Sequence, residues 1–471
     1  MKYDVIIVGA GPCGYLAAYE LKELNPSLKV LVIDKGLEIT QRKCPVLLHK
    51  IDKCPVNKEG RQECFPACSI TNGFGGAGAY SDGKFNITTE FGGWLNDYID
   101  DSELLDLINY EDKINLKFGA TNVVTDPYTD KIKEIEKKAA SVGVKLLRSK
   151  VRHLGTEENL KILERIYNHL KESVDFMFRT EVQQVIIVDN IAKGVILKDN
   201  EVIEANNVIL AVGREGSTWL EKILSKEGVK FTQNQVDIGV RVETTNVIME
   251  EINKNLYEGK FIYNTSLDTT VRTFCANPSG HVVMENYKGI VNVNGHSYSD
   301  EALGSENTNF ALLVSHRFSE PFNEPNEYAL KVSSLANQLA CGSVIVQRFG
   351  DLMQGRRSNP KRIQEGFVRP TLKEAVPGDL SLCMPQKTLS SIIEMIQVLD
   401  NITPGIASSH TLLYGIEAKY YSAHPEIFNT LEVKGIKNLY VGGDGAGITR
   451  GLAQAGACGI YIARNIVKQN G

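Results

Sequence analysis

Long apolar runs, an excess of positive charge and internal repeats are all missing from this sequence. No uncharged apolar run reaches the roughly eighteen residues that a bilayer-spanning helix requires, so we expect no membrane span. The 52 basic and 57 acidic side chains give a net charge of −5, which argues against nucleic acid or an anionic membrane as the partner. These absences favour chemistry on a small molecule.

The amino terminus has a passing likeness to a secretory signal, because Lys2 is followed by an uncharged stretch at residues 5–19. Asp4 and the Gly11-Pro12 pair argue against that interpretation. We therefore expect a cytoplasmic protein whose nine cysteines are reduced. A chain of 471 residues has ample length for a large core and for two domains.

The first 35 residues predict a strand, a glycine-rich turn, a helix and a second strand. Residues 3–8 form a short β-branched apolar run that is typical of a buried parallel strand. Residues 13–24 carry apolar side chains at helical spacing, and residues 30–33 form the second apolar run. The stretch therefore predicts a βαβ unit.

Each glycine of the turn has a physical role in a dinucleotide-binding unit. Gly9 allows a tight turn, Gly11 lets the backbone approach a pyrophosphate, and Gly14 lets the helix pack close to the strand. Asp34 follows Gly14 by twenty residues, where a carboxylate accepts hydrogen bonds from an adenosine ribose. The combination predicts a bound dinucleotide.

Three later segments also bring glycines to a strand or helix end. Residues 72–84 contain five glycines, which lets backbone groups approach a ligand closely. An apolar strand at 207–212 runs into Gly213, and a strand at 438–441 leads through Gly443 to Asp444 and then to a helix. We expect these segments to join the first βαβ unit in one domain.

The middle of the chain lacks the βαβ rhythm. Short strand-like runs between residues 236 and 293, with Gly and Asn at the turns, predict a mixed or antiparallel sheet. We therefore predict an α/β protein with a three-layer Rossmann-type domain made of residues 1–215 and 389–471, and an inserted substrate domain at 216–388. Residues 40–72 form a cysteine-rich excursion from the first domain.

Four cysteines in that excursion leave three interpretations open. Cys44, Cys54, Cys64 and Cys68 are separated by gaps that match neither a zinc ribbon nor a ferredoxin run. An iron–sulfur cluster or another metal site is one interpretation, a redox-active Cys64/Cys68 pair is the second, and thiols without a role are the third.

Taken together, the separated glycine segments resemble the FAD-binding domain of the glutathione-reductase-type flavoprotein superfamily. More narrowly, the chain resembles the uncharacterised FAD-dependent dehydrogenases of bacteria and archaea. The stretches that carry this narrower likeness are residues 73–84, 237–241, 271–275, 293–297, 307–313, 377–380, 412–419 and 441–454.

The resemblance implies FAD as the cofactor and assigns residues to it. The implied cofactor-binding residues are Gly9, Gly11, Pro12, Gly14, Asp34, Lys35, Arg42, Gly75, Gly76, Ser81, Asp82, Val182, Gly213, Asp444 and Gly451. No second GxGxxG follows a strand in the middle of the chain, which disfavours a dedicated NAD(P)H domain. NAD(P)H or a reduced carrier protein remains a candidate electron partner.

The implied activity is hydride transfer at flavin N5 to or from a small organic substrate. Arg272, His296 and Lys419 are the candidate catalytic residues, since each can act as an acid, a base or an anion anchor. Arg272 and His296 lie in or beside strand-like runs, whereas Lys419 lies in a stretch that mixes charged and aromatic residues shortly before the last glycine segment and that is also typical of exposed helix charge. Two alternatives stay open: an FAD-dependent monooxygenase, and a non-catalytic FAD protein that acts as a redox sensor or an RNA-modification partner.

Overall fold

The structure is a computed structural model that describes residues 2–45, 48, 50–51, 64–81, 83–256, 259–287, 289–297 and 301–470. The chain divides into two compact units. Unit 1 consists of Met1–Thr125, Ser149–Asn234 and Tyr421–Gly471, and unit 2 consists of Asp126–Arg148 and Gln235–Tyr420. No helix among the described residues is long and apolar enough to cross a bilayer.

The described helices follow one another along the whole chain. They are α1 (Pro12–Leu24), α2 (Asp101–Lys117), α3 (Asp130–Ser141), α4 (Thr156–Leu170), α5 (Ser217–Lys226), α6 (Asn246–Asn255), α7 (Pro325–Leu339), α8 (Phe349–Met353), α9 (Pro360–Gln364), α10 (Gln386–Leu399) and α11 (Leu452–Asn470).

The described strands form two large sheets and three two-stranded ones. They are β1 (Lys2–Val8), β2 (Val30–Ile33), β3 (Lys84–Ile87), β4 (Val144–Leu147), β5 (Lys150–His153), β6 (Asp175–Met177), β7 (Val182–Val188), β8 (Ile191–Leu197), β9 (Val202–Leu210), β10 (Phe231–Thr232), β11 (Val236–Thr245), β12 (Lys260–Asn264), β13 (Thr270–Asn277), β14 (His281–Tyr287), β15 (Ile290–His296), β16 (Asn307–His316), β17 (Ile345–Arg348), β18 (Val376–Pro377), β19 (Leu412–Lys419), β20 (His424–Pro425) and β21 (Leu439–Val441).

Unit 1 contains a seven-stranded sheet with a parallel core. Its order is β6-β2-β1-β9-β8-β7, with β21 also paired to β9. The pairs among β6, β2, β1, β9 and β21 are parallel, and β7, β8 and β9 are antiparallel. Because the last four residues of β1 and all of β2 are apolar, these stretches are buried on both faces, as strands of a parallel sheet are. The predicted βαβ unit is confirmed.

Unit 2 contains an eight-stranded sheet of order β18-β17-β19-β11-β16-β13-β12-β4, in which all pairs except β17-β18 are antiparallel. The central strand β11 alternates strictly. Ile238, Val240 and Val242 join the apolar core of the unit, whereas Asp237, Arg241 and Glu243 lie on the opposite face. The predicted mixed α/β architecture is confirmed, and this sheet carries a buried polar face.

The bounds of the two units differ from the predicted domain bounds. We expected breaks at 215/216 and 388/389, but unit 2 extends to Tyr420 and also includes Asp126–Arg148. The physical reason is strand pairing between distant segments: β19 pairs with β11 and β17, and β4 pairs with β12. Helix α10 packs in the same apolar core, so it also belongs to unit 2.

Candidate functional site

The glycine turn after β1 owes its shape to two close backbone contacts. Gly9 has a φ of +106°, and a Cβ there would lie 2.3 Å from the carbonyl oxygen of Ala211. A Cβ at Gly14 would lie 1.8 Å from the carbonyl oxygen of Gly9. Both positions therefore require glycine for the fold of unit 1 itself.

Gly11 differs from Gly9 and Gly14 because a Cβ there would meet no close contact. The nearest atom to a Cβ on Gly11 is the Cα of Gly76, at 3.9 Å. Helix α1 begins at the next residue, Pro12, and no side chain caps it. The first backbone N–H groups of α1 and the gap at Gly11 therefore form a cradle suited to an anionic group.

Asp34 ties this cradle to the second glycine segment. Its Oδ2 accepts the backbone N–H of Ala10 at 2.9 Å, and its Oδ1 accepts those of Gly36 and Gly73 at 2.7 and 2.9 Å. Gly75 in turn donates its N–H to the carbonyl oxygen of Ala10 at 2.8 Å. The carboxylate expected to bind ribose thus also fixes two loops around Gly11.

Arg42 has contacts that the sequence did not predict. Its buried guanidinium donates to the carbonyl oxygens of Ser69 and Ile70, both at 2.9 Å, and to those of Phe74 at 2.5 Å and Gly76 at 2.9 Å. Burial lowers the pKa of Arg42 to about 10. Arg42 therefore holds the backbone of the second glycine segment in place. Gly75 and Gly76 in this segment have positive φ angles, which favour glycine.

Lys35 forms an ion pair at the same edge of the sheet. Its Nζ lies 2.7 Å from Oε1 of Glu215, and Glu215 also accepts hydrogen bonds from Thr71 and Asn72. Burial alone would raise the pKa of Glu215, but the hydrogen bond and charge of Lys35, together with the bonds from Asn72 and Thr71, lower it. Lys35 therefore connects β2 with the loop that follows Gly213.

The turn after β21 brings a partly buried acid, Asp444, beside the end of β9. A Cβ on Gly445 would lie 2.5 Å from the carbonyl oxygens of both Val212 and Gly213, so the two turns are in direct backbone contact. Asp444 accepts a hydrogen bond from Thr449 Oγ1 at 2.8 Å, and burial raises its pKa. The predicted residues Gly213 and Asp444 are thus brought together.

A cation and two aromatic rings lie before α11. The backbone N–H groups of Arg450 and Gly451 both donate to the carbonyl oxygen of Gly92 at 2.8 Å. The Arg450 guanidinium lies 4.1 Å from the centre of the Tyr421 ring, which contacts Trp94 edge to face at 5.1 Å. Gly451 is therefore joined to Gly92 by a backbone hydrogen bond and follows a positive side chain in the sequence.

The remaining predicted cofactor residues are placed as follows. Val182 begins β7, two residues after Thr180, whose N–H donates to the carbonyl oxygen of Asp34 at 3.1 Å. Ser81 donates its hydroxyl to the carbonyl oxygen of Gly78 at 2.7 Å. Asp82 lies outside the described residues.

Of the four cysteines considered for a metal site, Cys54 lies outside the described residues. Cys44 and Cys64 are partly exposed, and Cys68 is buried. Within the described ranges, no three His, Cys, Asp or Glu side chains are arranged to hold a metal ion. The described residues thus give the iron–sulfur alternative no support.

The polar face of the unit 2 sheet is built around a fully buried ion pair. Arg241 binds Glu417 through two parallel hydrogen bonds of 2.8 and 2.7 Å, and both side chains are 0% exposed. Lys419 approaches the same carboxylate, with its Nζ 3.0 Å from Oε1 of Glu417. One carboxylate is therefore shared between two cations.

A second carboxylate on this face holds Arg272. Asp237 accepts hydrogen bonds from Ser315 Oγ at 2.7 Å and Gln235 Nε2 at 3.2 Å, and it forms an ion pair with Arg272. Asp237 is also the register partner of Lys419 across β11 and β19. The structure thus brings two of the predicted catalytic residues, Arg272 and Lys419, to the same face of one sheet.

His296, the third predicted catalytic residue, lies exposed at the end of β15. Its register partner is His281, and Asn294, two residues earlier, accepts a hydrogen bond from Arg241 at 3.2 Å. Our sequence interpretation missed Arg241, Asp237 and Glu243 as members of the site. The available signal was charge at alternate positions of the otherwise apolar strand β11.

The fold and the site thus define a parallel-sheet unit with a glycine cradle, together with a mixed-sheet unit with a buried ionic face. Residues 235–420 match the family model described as "FAD-dependent protein, C-terminal domain-like", and this range is the longer segment of unit 2. An uncharacterized protein of Clostridium beijerinckii is 26% identical over 492 aligned positions, which cover 100% of this chain and 81% of that protein.

Two solved structures match most of the chain at low similarity. Quinol fumarate reductase FrdA of E. coli matches with a TM-score of 0.40 and 13% identity, over 100% of this chain and 70% of that one. Formate oxidase of Aspergillus oryzae matches with a TM-score of 0.44 and 13% identity, over 99% of this chain and 98% of that one.

Proposed function

We propose that the protein is an FAD-dependent oxidoreductase that transfers hydride between the flavin and a small organic substrate. The observation that carries the proposal is the open cradle at Gly11, which lies at an uncapped helix start between two glycine loops held by Asp34. The match of residues 235–420 to a domain of FAD-dependent proteins supports FAD over NAD in this cradle.

The residues present fit FAD. The gap at Gly11 would admit a pyrophosphate, and the uncapped start of α1 would donate backbone hydrogen bonds to it. Oδ1 of Asp34 already accepts two N–H groups, whereas Oδ2 accepts one, so Oδ2 retains a lone pair for a ribose hydroxyl. Asp444 would take a hydroxyl at the other end of the cofactor.

FAD, when bound, supplies the hydride chemistry, and the chain supplies position and charge. In unit 1, Arg450 and the start of α11 bring positive charge that would favour an anionic group. In unit 2, Arg272 and Lys419 would bind and orient the substrate. A small-molecule substrate and an electron carrier, either NAD(P)H or a reduced protein, complete the proposal.

The cradle is tested by comparing Gly11→Ala with Gly14→Ala. Because a Cβ at Gly11 has 3.9 Å of clearance but would occupy the pyrophosphate space, we expect Gly11→Ala to fold like the wild type and to lose at least about tenfold in FAD affinity. Gly14→Ala should instead disrupt the fold, since its Cβ would lie 1.8 Å from a carbonyl oxygen. Flavin released from each purified variant measures FAD binding, and thermal unfolding shows whether the variant is folded.

Full flavin content in a folded Gly11→Ala variant would contradict the proposal. The reaction itself is tested by anaerobic titration of the purified protein with NADH, NADPH and reduced carrier proteins, while the flavin spectrum is followed. Reduction by one of them, followed by reoxidation with an organic acceptor, is the expected result. Rapid reoxidation by oxygen with hydroxylation of the substrate would favour a monooxygenase instead.

A further inference from the structure

We infer that the substrate is an organic anion whose carboxylate is bound by Arg272 and Lys419. This inference rests on the proposed function, for which it names the substrate class. It is carried by the geometry and exposure of one patch in unit 2, the cationic patch, which we define as Arg272 and Lys419 together with the acids Asp237 and Glu417 that hold them.

The two cations lie on one face of four adjacent strands. Arg272 is on β13 and reaches past β16 to Asp237 on β11, while Lys419 is on β19 and is the register partner of Asp237. Register partners in an antiparallel pair project to the same side of the sheet. Arg272 and Lys419 therefore flank Asp237 from opposite directions.

Within the cationic patch, the acidic side chains are buried and the basic side chains are partly exposed. The side chains of Asp237 and Glu417 are 0% exposed, whereas those of Arg272 and Lys419 are 26% and 11% exposed. The acids lie beneath and the cations lie above them, so a ligand that reaches this face meets positively charged donors.

The buried acids also fix the positions of the cations. Asp237 is held by Ser315 and Gln235, and Glu417 is held by the two hydrogen bonds from Arg241. Lys419 shares Glu417 with Arg241, so its positive charge is only partly balanced by that carboxylate. Three cations, Arg241, Arg272 and Lys419, share the two carboxylates of this patch, so these five side chains carry one excess positive charge. A substrate carboxylate would balance that charge, and a neutral substrate would not.

The experiment uses fluorine NMR on the full-length protein with whatever flavin it carries, with trifluoroacetate as the anionic probe and trifluoroacetamide as its neutral counterpart. We expect saturable binding of the anion and binding at least about tenfold weaker for the amide. Arg272→Gln and Lys419→Gln should each weaken anion binding at least about tenfold. Lys331→Gln, a change on α7 at a side chain that is 75% exposed, should not alter it.

Arg272→Gln alone removes the ion-pair partner of the buried Asp237 carboxylate, which could destabilise the protein. A second variant therefore neutralises both members of the pair. Arg272→Gln combined with Asp237→Asn removes both charges, and we expect it to fold and to lose anion binding. Retention of anion binding by this folded double variant, equal binding of the amide, or no binding of trifluoroacetate by the wild type would each overturn the inference.

Flavin content is measured on the same samples, so that the two proposals fail separately. If the protein holds FAD but shows no preference for the anion, the inference about the substrate is wrong and the proposed function stands. If the anion binds as expected but the protein takes up no FAD, the proposed function is wrong and the cationic patch remains an anion site.

Discussion

Glu243 is a buried carboxylate that depends on its hydrogen bonds. It accepts bonds from Thr371 Oγ1 at 2.5 Å, Asn307 Nδ2 at 3.1 Å and the hydroxyl of Tyr414. Burial raises the pKa of Glu243, and these donors partly oppose the rise. Because the pKa is higher in the folded state, the contribution of Glu243 to stability is full below its unfolded pKa and is lost as the pH rises through the folded pKa.

Tyr414→Phe should therefore destabilise the protein more at neutral pH than in mild acid. Removal of the hydroxyl takes a donor from Glu243, which costs about 1–3 kcal/mol where the carboxylate is ionised and less where it is protonated. Urea unfolding between about pH 4 and pH 7 measures this difference. Tyr440→Phe is the control, because the Tyr440 hydroxyl donates to the neutral Gln469 and its loss should cost the same at each pH.

Some residues of the candidate site could be predicted from the sequence, and others could not. The turn residues Gly9 and Gly14 were predictable because their need for glycine arises from backbone contacts within a short βαβ unit. The contacts of Arg42 and Lys35 could not be predicted, because their partners are distant in sequence. Arg42 binds carbonyl oxygens in the loop of residues 69–76, and Lys35 pairs with Glu215. The roles assigned to these residues in FAD binding remain predictions.

At the scale of elements, α1 and α11 pack closely through glycine. A Cβ on Gly459 would lie 2.0 Å from the carbonyl oxygen of Cys13, whereas a Cβ on Gly456 would lie 2.2 Å from the carboxyl carbon of Glu111. In an exposed helix, Gly→Ala stabilises by about 0.5–1 kcal/mol. Here we expect Gly459→Ala to destabilise by about 1–3 kcal/mol or more, because backbone must move.

Gly456→Ala is the matched control on the same helix. Its obstruction is the end of a side chain, which can shift more easily than a carbonyl oxygen, so we expect a smaller loss than at Gly459. Chemical denaturation of the two variants measures which of them loses more unfolding free energy. A larger loss at Gly456 would show that Glu111, not the α1 backbone, limits the approach to α11.

Elements were predictable from sequence where their contacts are local. β1, α1 and β2 lie within 33 residues and carry their own apolar periodicity. The place of β4 was not predictable, because it pairs with β12 more than a hundred residues later. The same holds for β19, which pairs with β11 and β17 and so carries residues 412–419 into unit 2. Local patterns contain no information about such pairings.

At the scale of the whole molecule, the chain passes between the two units four times, at 125/126, 148/149, 234/235 and 420/421. The short segment Asp126–Arg148 supplies α3 and β4 to unit 2. Ile132, Ile135 and Leu146 of this segment are buried in the apolar core of that unit. The range matched by the family model, 235–420, lacks this segment.

We therefore expect a fragment of residues 235–420 to lack cooperative unfolding. Each large apolar side chain left without its partners forfeits about 1.5–3 kcal/mol, and several such losses approach the stability of a whole domain. Joining residues 126–148 to the fragment through a flexible linker should restore a cooperative thermal transition, as measured by circular dichroism. The same fusion with Ile132→Asp and Ile135→Asp should not restore it, because the helix could no longer bury its apolar face. A cooperative transition in the bare fragment, at the same midpoint as in the fusion, would mean that α3 and β4 lie on a core that is already complete.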